Sequence, residues 1–342
     1  MSRRPLVSLV LFGLSLASAC GGSNAASAVV DLHGAGASFP APLYDKWFKA
    51  YVAAHPNARV DYQSQGSGAG VTQFTNKTID FGASDRAMTD EEIAKVDRGV
   101  QLLPMTAGSV VLAYNVPELK APLRLSRAAY SGIFLGKITK WNDKAIADAN
   151  PGVTLPASNL TVVHRADSSG TTFVFTQHLS AINPDWRSGP GTSQSPNWPT
   201  GVGAKGNEGV TSTITQTPGS IGYVEYGYAK QTGLSTAVLE NKAGKYVEAN
   251  TASSQAALAG AVLPDNLRAF LPDPDGDGSY PIVTYTWLLL YKQYPTPGTA
   301  DAIKDIVKYC LNDGQSVSES LGYVPLPPNI VAADLKALDN VK

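Results

Sequence analysis

Cysteine is scarce in this chain: its 342 residues include two, Cys20 and Cys310. Because Cys20 lies close to the amino terminus, no disulfide framework can stabilise the body of the protein, and a hydrophobic core has to do so. Cys310 shares a helical spacing with Ile303, Ile306 and Val307. That pattern predicts a small buried hydrophobe rather than a nucleophile.

Histidine and catalytic motifs are also few. The four histidines, His33, His55, His164 and His178, share no metal-ligand spacing. The sequence contains no His-Glu-x-x-His motif, no paired cysteines and no Gly-x-Ser-x-Gly nucleophile elbow. We therefore expect no metal centre and no cofactor.

One acidic loop, Asp273-Pro-Asp275-Gly-Asp277-Gly278, copies the start of an EF-hand calcium loop. Position twelve of that motif is Thr284 instead of the glutamate that would bind calcium in a bidentate manner. A solvated turn is the expectation, with calcium binding as an open alternative.

Charge of either sign is nearly balanced, with 27 Lys and Arg against 28 Asp and Glu and a net charge of −1. No basic run is present. The balance disfavours nucleic acids and other polyanions as partners.

The first 19 residues have the features of a secretion signal: basic Ser2-Arg3-Arg4, an apolar run from Leu6 to Ala17, and small residues before Cys20. The apolar run is too short to span a bilayer as a permanent helix. Cys20 resembles the lipidated cysteine of bacterial lipoproteins. We expect an exported protein that is anchored to the membrane through Cys20, with residues 20–28 as a flexible tether. An ordinary cleaved signal is the alternative.

The remaining roughly 320 residues suggest about two domains. Their apolar residues alternate between helical and strand periodicity, which predicts an α/β fold. Helices are predicted at 42–55, 71–76, 126–135, 143–149, 171–180, 209–216, 299–311, 315–321 and 328–338. Strands are predicted at 60–62, 79–83, 100–103, 110–114, 160–163, 221–224 and 282–291, and a polar loop at 183–206.

Three stretches of small residues are each placed to open a helix: Gly34–Pro42, Gln65–Gly70 with Asp80–Asp85, and His164–Thr171. A helix amino terminus presents unpaired N–H groups and a partial positive charge, so it favours an oxyanion. Taken singly, each stretch is explained as well or better by a structural role: a serine cap, a tight turn or a surface ion pair. Their joint occurrence with hydroxyls, Arg165 and Asp85 predicts a small anion held largely by backbone donors.

At these residues, and over nearly the whole mature chain, the sequence resembles the periplasmic phosphate-binding proteins of bacterial ABC phosphate importers. Three further segments carry the resemblance: Leu135–Asn142, Trp198–Gly203 and Gly219–Tyr226. The resemblance implies a type II periplasmic-binding-protein fold, in which two α/β lobes joined by crossing hinge strands close on one phosphate. It also implies lobe I at residues 29–114 plus 285–342 and lobe II at residues 115–284, so that the chain leaves lobe I near Asn115 and returns near Tyr285.

The resemblance further implies a set of phosphate ligands: Ser38, Phe39, Ser67, Asp85, Arg165, Ser169, Gly170 and Thr171. Asp167 matches the carboxylate that is salt-linked to the arginine in that family. Ala69 stands where many members have serine, and Ser168 replaces a frequent glycine. These two departures affect the number of donors in the loops.

The function implied is a non-enzymatic receptor that delivers inorganic phosphate to the permease of an ABC importer, acting as a monomer at the periplasm or cell surface. The residues agree, because phosphate carries a proton that the Asp85 carboxylate can accept, whereas sulfate has none to donate. Two alternatives stay open at this point. One is a receptor for another oxyanion such as sulfate or molybdate, and the other is an enzyme such as a phosphatase.

Overall fold

The computed structural model describes residues 29–342. The expected signal, tether and lipidated Cys20 lie outside the described residues. The strands, in chain order, are β1 Val30–Gly36, β2 Ala58–Ser64, β3 Phe81–Ser84, β4 Val100–Asn115, β5 Arg124–Leu125, β6 Thr161–Arg165, β7 Val202–Ala204, β8 Ser220–Glu225, β9 Ser235–Thr236, β10 Val238–Glu240, β11 Tyr246–Val247 and β12 Val283–Tyr291.

The α-helices alternate with these strands along much of the chain. They are α1 Ala41–Ala54, α2 Ser67–Thr75, α3 Asp90–Ile93, α4 Arg127–Phe134, α5 Lys144–Ala147, α6 Gly170–Ile182, α7 Pro184–Ser188, α8 Gly206–Gln216, α9 Tyr226–Thr232, α10 Thr251–Ala259, α11 Thr299–Leu311, α12 Ser318–Leu321 and α13 Pro328–Ala337. Short 3₁₀ helices cover Asp313–Val317 and Leu338–Asn340. The α/β prediction is confirmed.

Strand β4 is shared by two groups of strands. Its first part, Val100–Ser109, pairs with β12, which in turn pairs with β3, and β1 lies between β3 and β2. Its last part, Val110–Asn115, pairs with β8, which is followed by β6 and β7. We call β2, β1, β3, β12 and Val100–Ser109 of β4 the first strand group. The second strand group consists of Val110–Asn115 of β4 together with β8, β6 and β7. The lobe limits drawn from the sequence stay predictions, and the change of partner along β4 falls between Ser109 and Val110.

The apolar periodicity of the sequence accounts for the core of the first strand group. All residues of β12 are buried between β3 and β4. Helix α1 begins with a proline in its first turn, where the missing N–H costs nothing. It buries a face formed by Leu43, Tyr44, Trp47, Phe48 and Tyr51. Cys310 is buried in α11, as its spacing predicted.

The prediction of separate strands at 100–103 and 110–114 is wrong, because β4 is continuous. Polar residues interrupt its apolar run, yet they are buried with hydrogen-bond partners. The Thr106 hydroxyl donates to the carbonyl of Val324 at 3.0 Å, and Ser109 Oγ lies 2.7 Å from Ser254 Oγ. Since satisfied polar groups can stay inside a sheet, the interruption in hydrophobicity did not mark a break in the strand.

The predicted polar loop at 183–206 is also only partly correct, since it contains α7 and β7. The Asn183 side chain caps α7 by accepting from the N–H groups of Asp185 at 2.9 Å and Trp186 at 3.1 Å. Trp186 is fully buried. A short helix with a strong cap and one large anchor therefore forms despite the polar composition. The helix predicted at 315–321 is instead a 3₁₀ turn followed by α12.

Between residues 29 and 342, no helix combines the length and apolar character that crossing a membrane requires.

Glycine at position 70 is required by the close approach of α2 to the sheet. A Cβ there would lie 2.6 Å from Gly36 Cα and 2.8 Å from the Ala83 carbonyl oxygen, and backbone atoms cannot rotate away. We expect Gly70→Ala to lower the free energy of unfolding by about 1–3 kcal/mol through overpacking. Denaturant unfolding of the purified protein measures this change.

Gly260 is the matched control, because a Cβ at that position meets nothing within 4 Å and its φ of −85° suits any residue. Gly260→Ala should leave stability unchanged or raise it by about 0.4–1 kcal/mol. Equal stability of the two variants would contradict the packing argument.

Candidate anion-binding site

The sequence-predicted site residues meet where parallel strands of both groups end. Ser38 follows β1, Asp85 follows β3 and Arg165 ends β6. Ser67 and Thr171 lie in the first turns of α2 and α6. This is the edge at which α/β sheets place their ligands, because side chains and helix amino termini converge there.

Asp85 is the buried carboxylate of the site. Asp85 is 1% exposed. The Thr286 hydroxyl donates to its Oδ1 at 2.9 Å, and the Thr171 hydroxyl donates to its Oδ2 at 3.4 Å. Burial raises the pKa of Asp85 to about 7, although the two hydroxyls and the charge of Arg165 act in the opposite direction. The fold therefore keeps this carboxyl group close to its protonation midpoint near neutral pH.

The guanidinium of Arg165 is held by Asp167. Nε of Arg165 donates to Oδ1 at 2.7 Å, Nη2 donates to Oδ2 at 2.5 Å, and the arginine side chain is 1% exposed. Burial alone would raise the pKa of Asp167, but the guanidinium lowers it, so the pair is ionic. The Gly206 N–H also donates to Asp167 at 3.0 Å. A planar two-point pair of this kind fixes the orientation of the arginine. Its remaining Nη1 points to Thr171 Oγ1 at 3.3 Å.

Three hydroxyl groups of the site each accept two hydrogen bonds from N–H groups. Ser67 Oγ accepts from the backbone of Asp85 at 3.2 Å and of Gly170 at 3.1 Å. Ser38 Oγ accepts from the backbone and the amide side chain of Asn207, and Thr171 Oγ1 accepts from Arg165 and Asn207. Because a hydroxyl has two lone pairs and one hydrogen, each of these groups is left to act as a donor.

The amino terminus of α6 contributes backbone donors. Ser169 caps the helix by accepting from the Thr172 N–H at 3.0 Å, and the Gly170 N–H reaches across to Ser67. A Cβ at position 170 would lie 2.7 Å from Asp85 Cβ. Glycine at this position therefore lets the helix terminus approach the carboxylate.

Phe39 takes a different place from the other predicted residues. Its ring is fully buried and makes an edge contact with Tyr323, with ring centres 6.2 Å apart. Its carbonyl oxygen accepts from the Tyr323 hydroxyl at 2.7 Å. The side chain therefore belongs to the core beneath the site.

Two residues that sequence reasoning missed, Asn207 and Thr286, complete the hydrogen-bond network. Asn207 follows the strand–glycine–helix stretch Gly203–Gly206. That stretch repeats the signal of the three others and is the observation that would have identified it. Thr286 lies inside β12, where nothing in the alternation of residues distinguishes it from neighbouring buried positions.

The two strand groups contact each other directly around the site. The Gly68 N–H donates to the Ser168 carbonyl at 2.9 Å, and Arg86 Nε donates to Gln194 Oε1 at 3.0 Å. The Tyr228 hydroxyl donates to the Ser38 carbonyl at 2.7 Å. These bonds describe a closed arrangement.

Within residues 29–342, no group of three or more His, Cys, Asp or Glu side chains is arranged to hold a metal ion. In the acidic loop, Asp273 pairs with Arg127 at 2.8 Å and Asp275 pairs with Lys242 at 2.7 Å. These carboxylates have lysine and arginine as their counter-ions.

Comparisons with known proteins agree with this architecture. A family model described as a PBP superfamily domain matches residues 22–313. Among solved structures, a phosphate-binding protein from Stenotrophomonas maltophilia superposes with a TM-score of 0.72 at 19% identity, covering 90% of this chain and 93% of that one. A high-affinity periplasmic phosphate-binding protein solved with phosphate, PfluDING, gives 0.74 at 21% identity over 89% of this chain and 92% of that one. The two-lobed type II fold is thereby confirmed.

Curated relatives are closer in sequence. The phosphate-binding protein PstS of Pasteurella multocida is 44% identical over 303 residues, covering 87% of each chain. That of Xylella fastidiosa is 42% identical over 306 residues, covering 88% of this chain and 83% of the relative. The chain therefore belongs to the PstS family of phosphate-binding proteins, within the PBP superfamily.

Proposed function

We propose that this protein binds inorganic phosphate between its two strand groups and delivers it to the permease of an ABC importer. The observation that carries the proposal is the polarity of the site: buried hydroxyl and N–H donors converge around one buried acceptor, Asp85. Donors neutralise an oxyanion without mobile cations, and the acceptor takes the proton that phosphate retains.

The proposed ligand groups come from both sides of the cleft. Ser38, Ser67 and Asp85 belong to the first strand group, and Phe39 would contribute its backbone N–H because its ring lies in the core. The second strand group would supply Arg165 together with the amino terminus of α6 (Ser169, Gly170 and Thr171). A ligand bound from both sides favours the closed form, which is the form that a transporter can distinguish from the unloaded protein.

The hydrogen bonds of the site support binding rather than catalysis. Ser38 and Ser67 accept hydrogen bonds from N–H groups, and the Thr171 hydroxyl faces the Asp85 carboxylate only at a long 3.4 Å. An activated nucleophile would donate its proton to a base within normal hydrogen-bond reach. We therefore infer that the protein does not hydrolyse phosphate esters. An assay with a chromogenic phosphoester is expected to give no turnover.

We also infer that the protein acts outside the cytoplasm. The support is the secretion-signal pattern at residues 1–19 and the cysteine that follows it. Lipidation at Cys20 would keep the receptor close to the permease.

Asp85→Asn tests whether the Asp85 carboxylate discriminates phosphate from sulfate by accepting the proton of phosphate. At a pH above 7, the ionised Asp85 of the wild type should repel sulfate, whose oxygens carry only lone pairs, whereas an amide can donate to them. We expect the ratio of phosphate to sulfate affinity to fall about tenfold or more, as the loss of one charge-assisted hydrogen bond implies. Calorimetric titration with each anion measures the ratio.

The matched control is Asp148→Asn, since Asp148 is an exposed carboxylate that pairs with Lys144 one helical turn away, whereas Asp85 is buried. Its selectivity should equal that of the wild type. If Asp85→Asn also kept the wild-type ratio, Asp85 would lose its assigned role.

Arg165→Ala tests whether the Arg165 guanidinium binds the anion. Phosphate affinity should fall about 10- to 100-fold because a buried charge-assisted donor is removed. The substitution also leaves the Asp167 carboxylate without its partner, so Arg165→Ala with Asp167→Asn is measured beside it. Circular dichroism reports the fold of both variants. Wild-type affinity in the double variant would rule out the arginine as a ligand.

The pKa of Asp85 predicts a pH dependence of stability in the phosphate-free protein. The folded state keeps a proton up to about pH 7, whereas the unfolded chain releases it near the ordinary value of 3.8. The folded state binds more protons in this window, so wild-type stability should fall as pH rises from about 4 to 7, relative to Asp85→Asn, and the difference should then stay constant. Urea unfolding of both proteins across this range measures the difference. Parallel curves would contradict the raised pKa.

A further inference from the structure

Asn207 occupies a central place in the site, although the comparisons and the sequence patterns assign it no role. It is fully buried in the first turn of α8. Its backbone N–H donates to Ser38 Oγ at 3.0 Å, and Nδ2 donates to the same oxygen at 2.9 Å. Nδ2 also donates to Thr171 Oγ1 at 3.2 Å. One side chain thus contacts a hydroxyl from each strand group.

The orientation of the Asn207 amide follows from its surroundings. Its Oδ1 accepts from the backbone N–H of Glu225 at 2.9 Å. Because a backbone N–H can only donate, the oxygen of the amide has to face Glu225, and the NH₂ group has to face Ser38 and Thr171. A flipped amide would set its NH₂ group against the Glu225 N–H, two donors facing each other, so this orientation is fixed by Glu225.

This orientation determines what the two hydroxyls can do. Both lone pairs of Ser38 Oγ are occupied by the N–H groups of Asn207, so the Ser38 hydrogen points elsewhere. Thr171 Oγ1 accepts from Arg165 at 3.3 Å in addition to Asn207. Its hydrogen faces Asp85 at a long 3.4 Å, a weak bond that an incoming acceptor can replace.

We propose that Asn207 is a positioning residue that makes the hydroxyls of Ser38 and Thr171 obligatory donors to the bound anion. This inference rests on the proposed function, because the donors matter only for an anionic ligand. Asn207 acts through the two hydroxyls, and it also links the strand groups, since Ser38 follows β1 and Asn207 follows β7.

Two substitutions at this position separate hydrogen bonding from packing. Asn207→Leu nearly keeps the size of the side chain but removes its donors, and Asn207→Ala removes both the donors and the bulk. In either variant the Ser38 and Thr171 hydroxyls are free to rotate, so we expect phosphate affinity to fall about tenfold for both, on the scale of one lost charge-assisted hydrogen bond. A packing role predicts a loss for alanine and near wild-type affinity for leucine, because leucine fills the space and alanine does not.

A double-mutant cycle with Ser38→Ala shows whether Asn207 acts through that hydroxyl. If it does, Asn207→Ala should cost much less affinity when Ser38 is already alanine, whereas independent effects would multiply. The matched control is Asn241→Ala. Asn241 is equally buried, but its Nδ2 donates to the carbonyls of Gly276 and Asp277, which are not among the proposed ligand groups. It should lower stability and leave affinity unchanged.

The outcomes are distinguishable from failure of the proposed function. Absence of phosphate binding by the wild-type protein in calorimetry would overturn the proposed function itself. If the wild type binds, the inference is overturned by wild-type affinity in Asn207→Leu, or by purely multiplicative effects in the cycle. Weaker binding for both Asn207→Leu and Asn207→Ala, together with coupling to Ser38, supports it.

Discussion

The burial of one carboxylate, that of Asp85, is the constraint on which the rest of the site depends. An ionised carboxylate away from water is costly unless hydrogen bonds and nearby charge offset the loss of hydration. The fold supplies these from separate elements. The antiparallel register of β3 and β12 pairs Ser84 with Trp287, which brings Thr286 beside Asp85. Helix α6 brings Thr171, and Arg165 adds charge without a direct ion pair. The compensation is incomplete, so the pKa stays near neutrality and the group readily shares a proton.

The donors around Asp85 are themselves oriented by hydrogen bonds to other protein groups. Asp167 fixes the Arg165 guanidinium through two hydrogen bonds and also accepts one from the Gly206 N–H. It thereby connects the end of β6, which carries Arg165, to the start of α8. The hydroxyls of the site have their lone pairs filled by protein N–H groups. A buried site built in this way places several hydroxyl and N–H donors around the Asp85 acceptor. That pattern is complementary to a tetrahedral anion that still carries a proton, and it is less suited to one that carries none.

The sequence predicted those features that depend on local chemistry. The glycine-rich junctions and the buried face of α1 are encoded by residues close together in the chain. Thr286 could not be predicted, because its contact with Asp85 spans 201 positions and depends on strand register. The continuity of β4 was missed for a related reason. Its buried hydroxyls are satisfied by Val324 and Ser254, which are distant in sequence.

Closure of the cleft follows from the same hydrogen bonds. Ser67 Oγ accepts from Gly170, and the Ser38 hydroxyl accepts from Asn207, so groups from the two strand groups satisfy one another in the closed arrangement. A neutral bond of this kind contributes little, about 1 kcal/mol net, because water offers similar partners in the open form. An anion that takes up the same donors replaces neutral bonds by charge-assisted ones that water matches less well. Since a ligand shifts an equilibrium only by its differential affinity for the two forms, this exchange is the physical source of the preference for the closed state. The two groups stay joined through β4, which pairs with β12 along its first part and with β8 along its last part.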